Sequence, residues 1–144
     1  MAGGKANTFD NDLLKLILNG VAIANIADNA ASAPFTNLYV SLHTADPGVG
    51  GNQTTSEATY TGYARQAVAR TSAGFTVSGT SATLTAAVVF PTATGGSETE
   101  TFVAIGTGAS GTGKILYRGP ITPSLSVTSG VAPQLTTGTT ITES

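Results

Sequence analysis

Apolar and polar positions alternate along Asn37–Gly48, NLYVSLHTADPG: Leu38, Val40 and Leu42 alternate with Tyr39, Ser41 and His43. Period two is the signature of a half-buried strand. The run ends in Ala45-Asp46-Pro47-Gly48, where Asp, Pro and Gly each favour a turn. Similar patterning predicts strands over Leu38–Thr44, Tyr63–Arg70, Phe75–Val77, Ala82–Phe90, Thr101–Ile105, Ile115–Arg118, Leu125–Val127 and Gln134–Thr142. Strong punctuation separates them, including Gly50-Gly51, Gly79, Pro91, Gly95-Gly96, Gly106–Gly113, Gly119-Pro120, Gly130 and Pro133. Short strands at turn spacing predict an all-β domain, a single antiparallel β-sandwich. Eight strands fit a jelly roll and leave an immunoglobulin-like or other sandwich open. The predicted core is Leu38, Val40, Leu42, Phe75, Val77, Leu84, Val88, Phe90, Val103, Ile105, Ile115, Tyr117, Leu125, Val127, Leu135 and Ile141.

Before the strands the period changes. Phe9, Leu13, Leu16, Ile17 and Val21 fall at helical spacing and predict a short helix of about ten residues. Thr8, Asp10 and Asn11 are suited to cap its start, and Gly20 sits where a C-cap glycine belongs. Leu14 and Leu18 lie off the stripe, so the helix is apolar nearly all round and must be covered on more than one side. Two readings are open: it plugs one end of the sandwich, or part of it docks on a neighbouring subunit. The expected organisation is an arm, short helix and linker over 1–34, with residues 1–7 as the arm, followed by a β-sandwich over 35–144. The Thr-rich stretch Thr136–Thr142 suits an edge strand, and a charge-poor edge invites pairing with another chain.

Composition narrows the function classes. A chain of 144 residues fits one domain, and charged residues are 10% against about 25% in an average globular protein. Thr, Ser, Ala and Gly fill the difference, giving neutral polar surfaces suited to contact with other protein. Net charge is −2, and the six basic residues (Lys5, Lys15, Arg65, Arg70, Lys114, Arg118) are scattered. They form no basic patch of the kind nucleic acid requires. The absence of cysteine excludes disulfides and thiolate metal sites. The N-terminus does not read as a signal peptide. No stretch approaches the roughly 18 apolar residues of a membrane span.

Several motifs resemble catalytic or binding signatures. Gly106–Lys114, GTGASGTGK, satisfies both GxGxxG and the GxxxxGK part of a phosphate loop. Both motifs need a following helix whose amides hold the phosphate, whereas the chain continues as ILYRGP with Ile115 in place of the magnesium-binding Ser or Thr. A long surface turn between hairpin strands is the reading. His43 is the only histidine. Ser41 and Asp46 lie near it, but Ser41 and His43 share a strand face with no independent orienting group, so it reads as a polar-face histidine and not as part of a triad. Glu98 and Glu100 sit two apart on one strand, too generic a spacing to mark a carboxylate pair. No calcium-loop spacing is present. The expectation is a protein without cofactor or metal, and not an enzyme.

LYVSLHTADPG, a Gly/Thr-rich loop, and then Tyr60–Thr71, YTGYARQAVART, together resemble a family of small structural proteins from tailed bacteriophages, whose members often carry tail-fibre labels. The resemblance runs from roughly Leu13 to Glu143 and is weakest across Val21–Pro34. It implies a jelly-roll-like capsid decoration (cement) protein on the outer surface of the phage head, assembled in the host bacterial cytoplasm and stabilising capsomer junctions. The implied partners are the major capsid protein and further copies of the chain, as dimer or trimer, with no nucleic acid and no membrane. A tail or tail-fibre-associated subunit is the alternative, and a carbohydrate-binding sandwich is a third, for which the absence of Trp is unfavourable. Arg and Tyr are enriched at interfaces. The candidate contact residues are therefore Phe9, Leu13, Leu14 and Leu18 on the helix, with Tyr60, Tyr63, Arg65 and Arg70.

Overall fold

The alternating run around Leu38 forms strand β1, Asn37–His43. The computed structural model describes residues 7–23, 26 and 34–142. The expected arm, apart from Asn7, and most of the link to Pro34 lie outside them. Helix α1 spans Asn7–Asn19. The remaining strands are β2 (Gln66–Ala69), β3 (Phe75–Ser78), β4 (Ser81–Leu84), β5 (Val88–Val89), β6 (Ser97–Gly106), β7 (Ile115–Thr128), β8 (Gln134–Leu135) and β9 (Thr140–Thr142). They build a four-stranded sheet in the order β2-β1-β6-β7, a three-stranded sheet β3-β4-β9 and a pair β5-β8. Several antiparallel sheets with one short helix match the all-β sandwich class that the patterning predicts.

Three strands are shorter than the pattern implies. Tyr63–Arg70 contributes only Gln66–Ala69. Ala82–Phe90 is split at Thr85–Ala87, where the Thr85 N–H turns back to the Gly74 carbonyl at 3.0 Å. Gln134–Thr142 is split by a turn closed from Thr139 N–H to Thr136 O at 3.0 Å. Conversely β7 joins Ile115–Arg118 to Leu125–Val127 as one strand through Pro120 and Pro123. Proline is tolerated there because β7 is the outer strand of its sheet.

The chain forms two compact units, one of Met1–Asn37, Ala69–Ala87 and Leu135–Ser144, the other of Leu38–Val68 and Val88–Gln134. In the first, α1 packs on β3 and β4. Its buried face is Asp10, Leu14 and Leu18, at 3%, 0% and 0% exposure, not the stripe through Phe9 and Val21, which are 38% and 51% exposed. A helix apolar nearly all round offers more than one stripe; Leu14 and Leu18 are the pair buried where it packs on β3 and β4, whose own buried apolar residues are Phe75, Ala82 and Leu84. The helix therefore shares a unit with strands that come more than fifty residues later.

Its C-terminus is closed by a distant arginine. Gly20 takes the left-handed conformation (φ 67°) expected of a C-cap glycine, and Val21 N–H donates to Lys15 O. Arg70 donates from Nε to Ile17 O (2.7 Å) and from Nη2 to Leu16 O (2.5 Å). A cation here satisfies orphan carbonyls and opposes the negative end of the helix dipole. Arg70→Ala is expected to lower stability by about 1 kcal/mol. Amide exchange should quicken first in the last turn of α1; uniform exchange along the helix would contradict this.

In the second unit, the β1–β6 pairing sets Val40 opposite Ile105 and Leu42 opposite Val103 on one face. Ser41 faces Ala104, and His43 faces Phe102, on the other. The apolar face belongs to the core, with Leu38, Val40, Leu42, Phe90, Ile105 and Val127 all buried. Fully burying each large apolar side chain contributes roughly 1.5–3 kcal/mol. The polar face is also covered, so Val40 through His43 are buried without a break.

Candidate functional site

The cover on the polar face of β1 is the loop between β1 and Ala58. It begins as the Asp-Pro-Gly turn predicts: Asp46 Oδ1 accepts the Gly48 N–H at 2.8 Å, and Gly48 has φ 73°. Asn52 then accepts from Thr54 N–H at 2.9 Å, a local turn that sends the next side chain inward. That side chain is Gln53, fully buried. Its Nε2 donates to Tyr39 O (3.1 Å) and Ser41 Oγ (3.4 Å), while its Oε1 accepts from Gly108 N–H (2.9 Å). Its own N–H donates to Gly113 O (2.9 Å). One glutamine thus ties β1 to both ends of the glycine-rich turn.

Beside it lie Ser41 and His43, both 0% exposed. His43 Nδ1 is 2.9 Å from the Thr55 carbonyl, which can only accept, so Nδ1 carries the proton. Nε2 is then the acceptor in the neutral ring, and Ser41 Oγ donates to it at 2.9 Å. Burial lowers the His43 pKa, outweighing the backbone carbonyl of Thr55 and the charge of Glu57, and the ring stays neutral. The arrangement has the outline of a serine–histidine pair with a backbone carbonyl as orienting group, the element the sequence lacked. It is sealed beneath the loop, and its hydrogen bonds hold that loop down.

A third group extends the network. Glu57 bridges to His43 across the strand edge. Its carboxylate takes two hydrogen bonds from Arg65, Nε at 2.6 Å and Nη2 at 2.8 Å, and one from Tyr63 Oη at 3.0 Å. Tyr63 Oη also accepts the Leu42 N–H. Arg65 carries on to the glycine-rich turn, donating to Gly108 O (2.9 Å) and Gly111 O (2.7 Å). The Arg65 side chain is only 3% exposed, and its bidentate bond to Glu57 raises its pKa further, so the pair is a charged one. Burial drives the Tyr63 hydroxyl well above its ordinary pKa.

The residues expected at an interface are mostly used within the chain. Leu14 and Leu18 have no exposed surface and cover the helix's own sheet. Tyr60 is 3% exposed, stacks edge-on against Tyr63 at 5.3 Å and donates to Pro91 O at 3.1 Å. Tyr63 stacks on Phe90 at 6.2 Å. Arg65 holds the glycine-rich turn and Arg70 caps the helix. Leu13 is half-buried, and Phe9 retains the most open surface of the eight.

Gln53 and Glu57 carry no recognisable signal in the sequence, because each sits in a polar loop whose partners are set by tertiary closure. The glycine-rich turn is the surface loop expected. Gln53 and Arg65 grip it ahead of Lys114, and the chain then continues as strand β7, with no helix to hold a phosphate. Among the described residues no three of His, Asp or Glu gather as a metal site, and no helix is long and apolar enough to cross a membrane.

A search of curated proteins finds no match to this chain. The family profile described as podophage GP4 fiber I protein gp80 matches residues 4–143. That match spans nearly the whole sequence, both the buried network and the helix included, and the chain belongs to this family of phage structural proteins.

Proposed function

We propose that this chain is a fibre-associated structural subunit of a podophage virion, acting through protein–protein contact and without catalysis. The observation that carries this reading is the family match over residues 4–143, whose description names a fiber protein. The buried network supports the non-catalytic part. Ser41 and His43 bond only to groups of their own chain and have no exposed surface through which a substrate could reach them. A charge-poor surface rich in Thr, Ser and Gly suits lasting contact with other protein, including further copies of the chain as dimer or trimer. Neither nucleic acid nor membrane belongs among the partners.

Head decoration is the second reading, and the resemblance at Leu38–Gly48 and Gly62–Thr71 favours it. In that case the major capsid protein is the partner, the capsid surface is the location, and a jelly-roll-like sandwich bridges neighbouring capsomers with avidity supplied by their fixed spacing. Separating heads from tails and probing each with an antibody to this chain distinguishes the two. The fibre reading expects the signal with tails and fibres. Signal on tail-free heads, with small β-domains at regular capsomer junctions by cryo-electron microscopy, overturns it in favour of decoration.

A further inference from the structure

Away from the Gln53–Arg65 network, the second unit contains a carboxyl group with an unusual environment. Glu100 on β6 is 0% exposed, and no N–H or hydroxyl donor reaches either of its oxygens; the group it hydrogen-bonds is the neighbouring carboxyl of Glu98. It lies where β6 and β7 lose register: Glu100 pairs with Leu125 and Phe102 with Pro120, so 121–124 of β7 stand against Thr101 alone. One turn of the pleat away, Glu98 is fully engaged. Its Oε1 accepts the N–H groups of Thr59 and Tyr60, both at 2.8 Å, and its Oε2 accepts the Thr59 hydroxyl at 3.0 Å. Three donors suit a carboxylate. Together with the hydrogen bond from Glu100, they overcome the effect of burial and hold Glu98 below the ordinary carboxylate range.

Two charged carboxylates this close, one of them sealed from water without a donor, are not sustainable. Among the described residues, the titratable groups acting on Glu100 are Glu98 from its own strand and Tyr60 from the facing segment, and neither is a cation. Its cross-strand partner Leu125 is apolar. We propose that Glu100 is a proton-gated latch: the folded unit keeps its carboxyl neutral, and loss of that proton sets it against Glu98 and frees the Thr59–Tyr60 segment. Burial, then the hydrogen bond the protonated carboxyl gives to Glu98, and then the Glu98 charge, push the Glu100 pKa up to about 8. Tyr60 is pushed up to about 12 by burial and by the same two carboxyls, so it stays protonated throughout the range in which the latch acts.

The direction of the pH effect is set by a folded-state pKa above the unfolded one. Glu100 holds its proton in the folded chain and releases it on unfolding, so its stabilisation is complete below the unfolded value of about 4.3 and is lost as pH rises to about 8. One proton corresponds to a roughly tenfold fall in the folded-to-unfolded ratio per pH unit across that window. Denaturant unfolding from pH 5 to 9 should show this slope in the natural sequence, and Glu100→Gln should remove one proton's worth of it. Carbon-13 carboxyl titration of the unmodified chain supplies a test that needs no variant. A Glu100 midpoint near 8, with Thr59 and Tyr60 amides losing exchange protection beyond base catalysis as it titrates, supports the latch. A midpoint in the ordinary glutamate range, or identical pH slopes for the natural chain and a folded Glu100→Gln, overturns it.

Discussion

Replacing Arg65 with alanine is expected to lower the unfolding free energy by about 3–5 kcal/mol, the range for breaking a buried pair by removing one partner. The change leaves the half-buried Glu57 carboxylate with only the Tyr63 hydroxyl of its three side-chain donors, and deprives Gly108 and Gly111 of the guanidinium that holds their carbonyls. Two effects should therefore appear together. The denaturation midpoint should fall, and limited proteolysis should cut first within Gly106–Lys114, where the turn has lost its side-chain anchor. Arg65→Lys tests whether charge or shape matters. A lysine keeps the charge but cannot bond bidentately to Glu57 while reaching two carbonyls, so it should restore only part of the loss. A Glu57→Leu/Arg65→Met double variant removes both charges and should be less damaged than Arg65→Ala. If Arg65→Ala unfolds within about 0.5 kcal/mol of the natural chain, the network is not a determinant of this unit.

Legibility in the sequence divides along physical lines. Period-two alternation located β1, and ten of the residues it placed inside, among them Leu38, Val40, Phe75, Phe90 and Val127, are buried. This signal is local: each strand shows one face to the core, and the sequence records which. Strand ends were less legible. Nothing local to Ala82–Phe90 says that Thr85 turns back to Gly74, or that the chain leaves one compact unit for the other between Ala87 and Val88. The helix was legible as a helix but not as a packed face. With leucine at 13, 14, 16 and 18, the choice of Leu14 and Leu18 is made by β3 and β4.

Polar side chains were the hardest to interpret. Arg65, Arg70, Tyr60 and Tyr63 have the residue types of an interface, yet a long donor serves equally well to close a helix end or tether a turn within the chain. Their partners within the chain lie far off in sequence, 53 residues from Arg70 to Ile17 and 43 from Arg65 to Gly108, so nothing local announces them. His43 was expected on a polar strand face and does lie opposite the apolar one, but a loop rather than water covers it. The orienting group missing from the sequence is the backbone carbonyl of Thr55, to which residue identity offers no clue.

The glycines of the phosphate-loop lookalike have a different explanation, and it leads to the second large effect. A β-carbon on Gly106 would lie 2.3 Å from Gln53 Cδ and 2.6 Å from the Lys114 carbonyl oxygen; on Gly113 it would lie 2.1 Å from Gln53 Oε1 and 2.7 Å from Gly108 N. Real β-carbons essentially never approach so closely, so the turn is glycine-rich because Gln53 and the returning backbone occupy the space of side chains. Gly106→Ala is expected to lower stability by about 1–3 kcal/mol, the range for overpacking a filled site. Gly111 separates this cause from backbone conformation. It has φ 68° with nothing within 4 Å of a β-carbon, so Gly111→Ala meets strain but no collision. Pairing Gly106→Ala with Gln53→Ala relieves the contact with Gln53 but not the one with Lys114 O, so the double variant should fall short of additivity without returning to the natural stability. Full additivity of the two changes in denaturant unfolding would mean that Gln53 is not what excludes a side chain at Gly106, and the glycine pattern would require another cause.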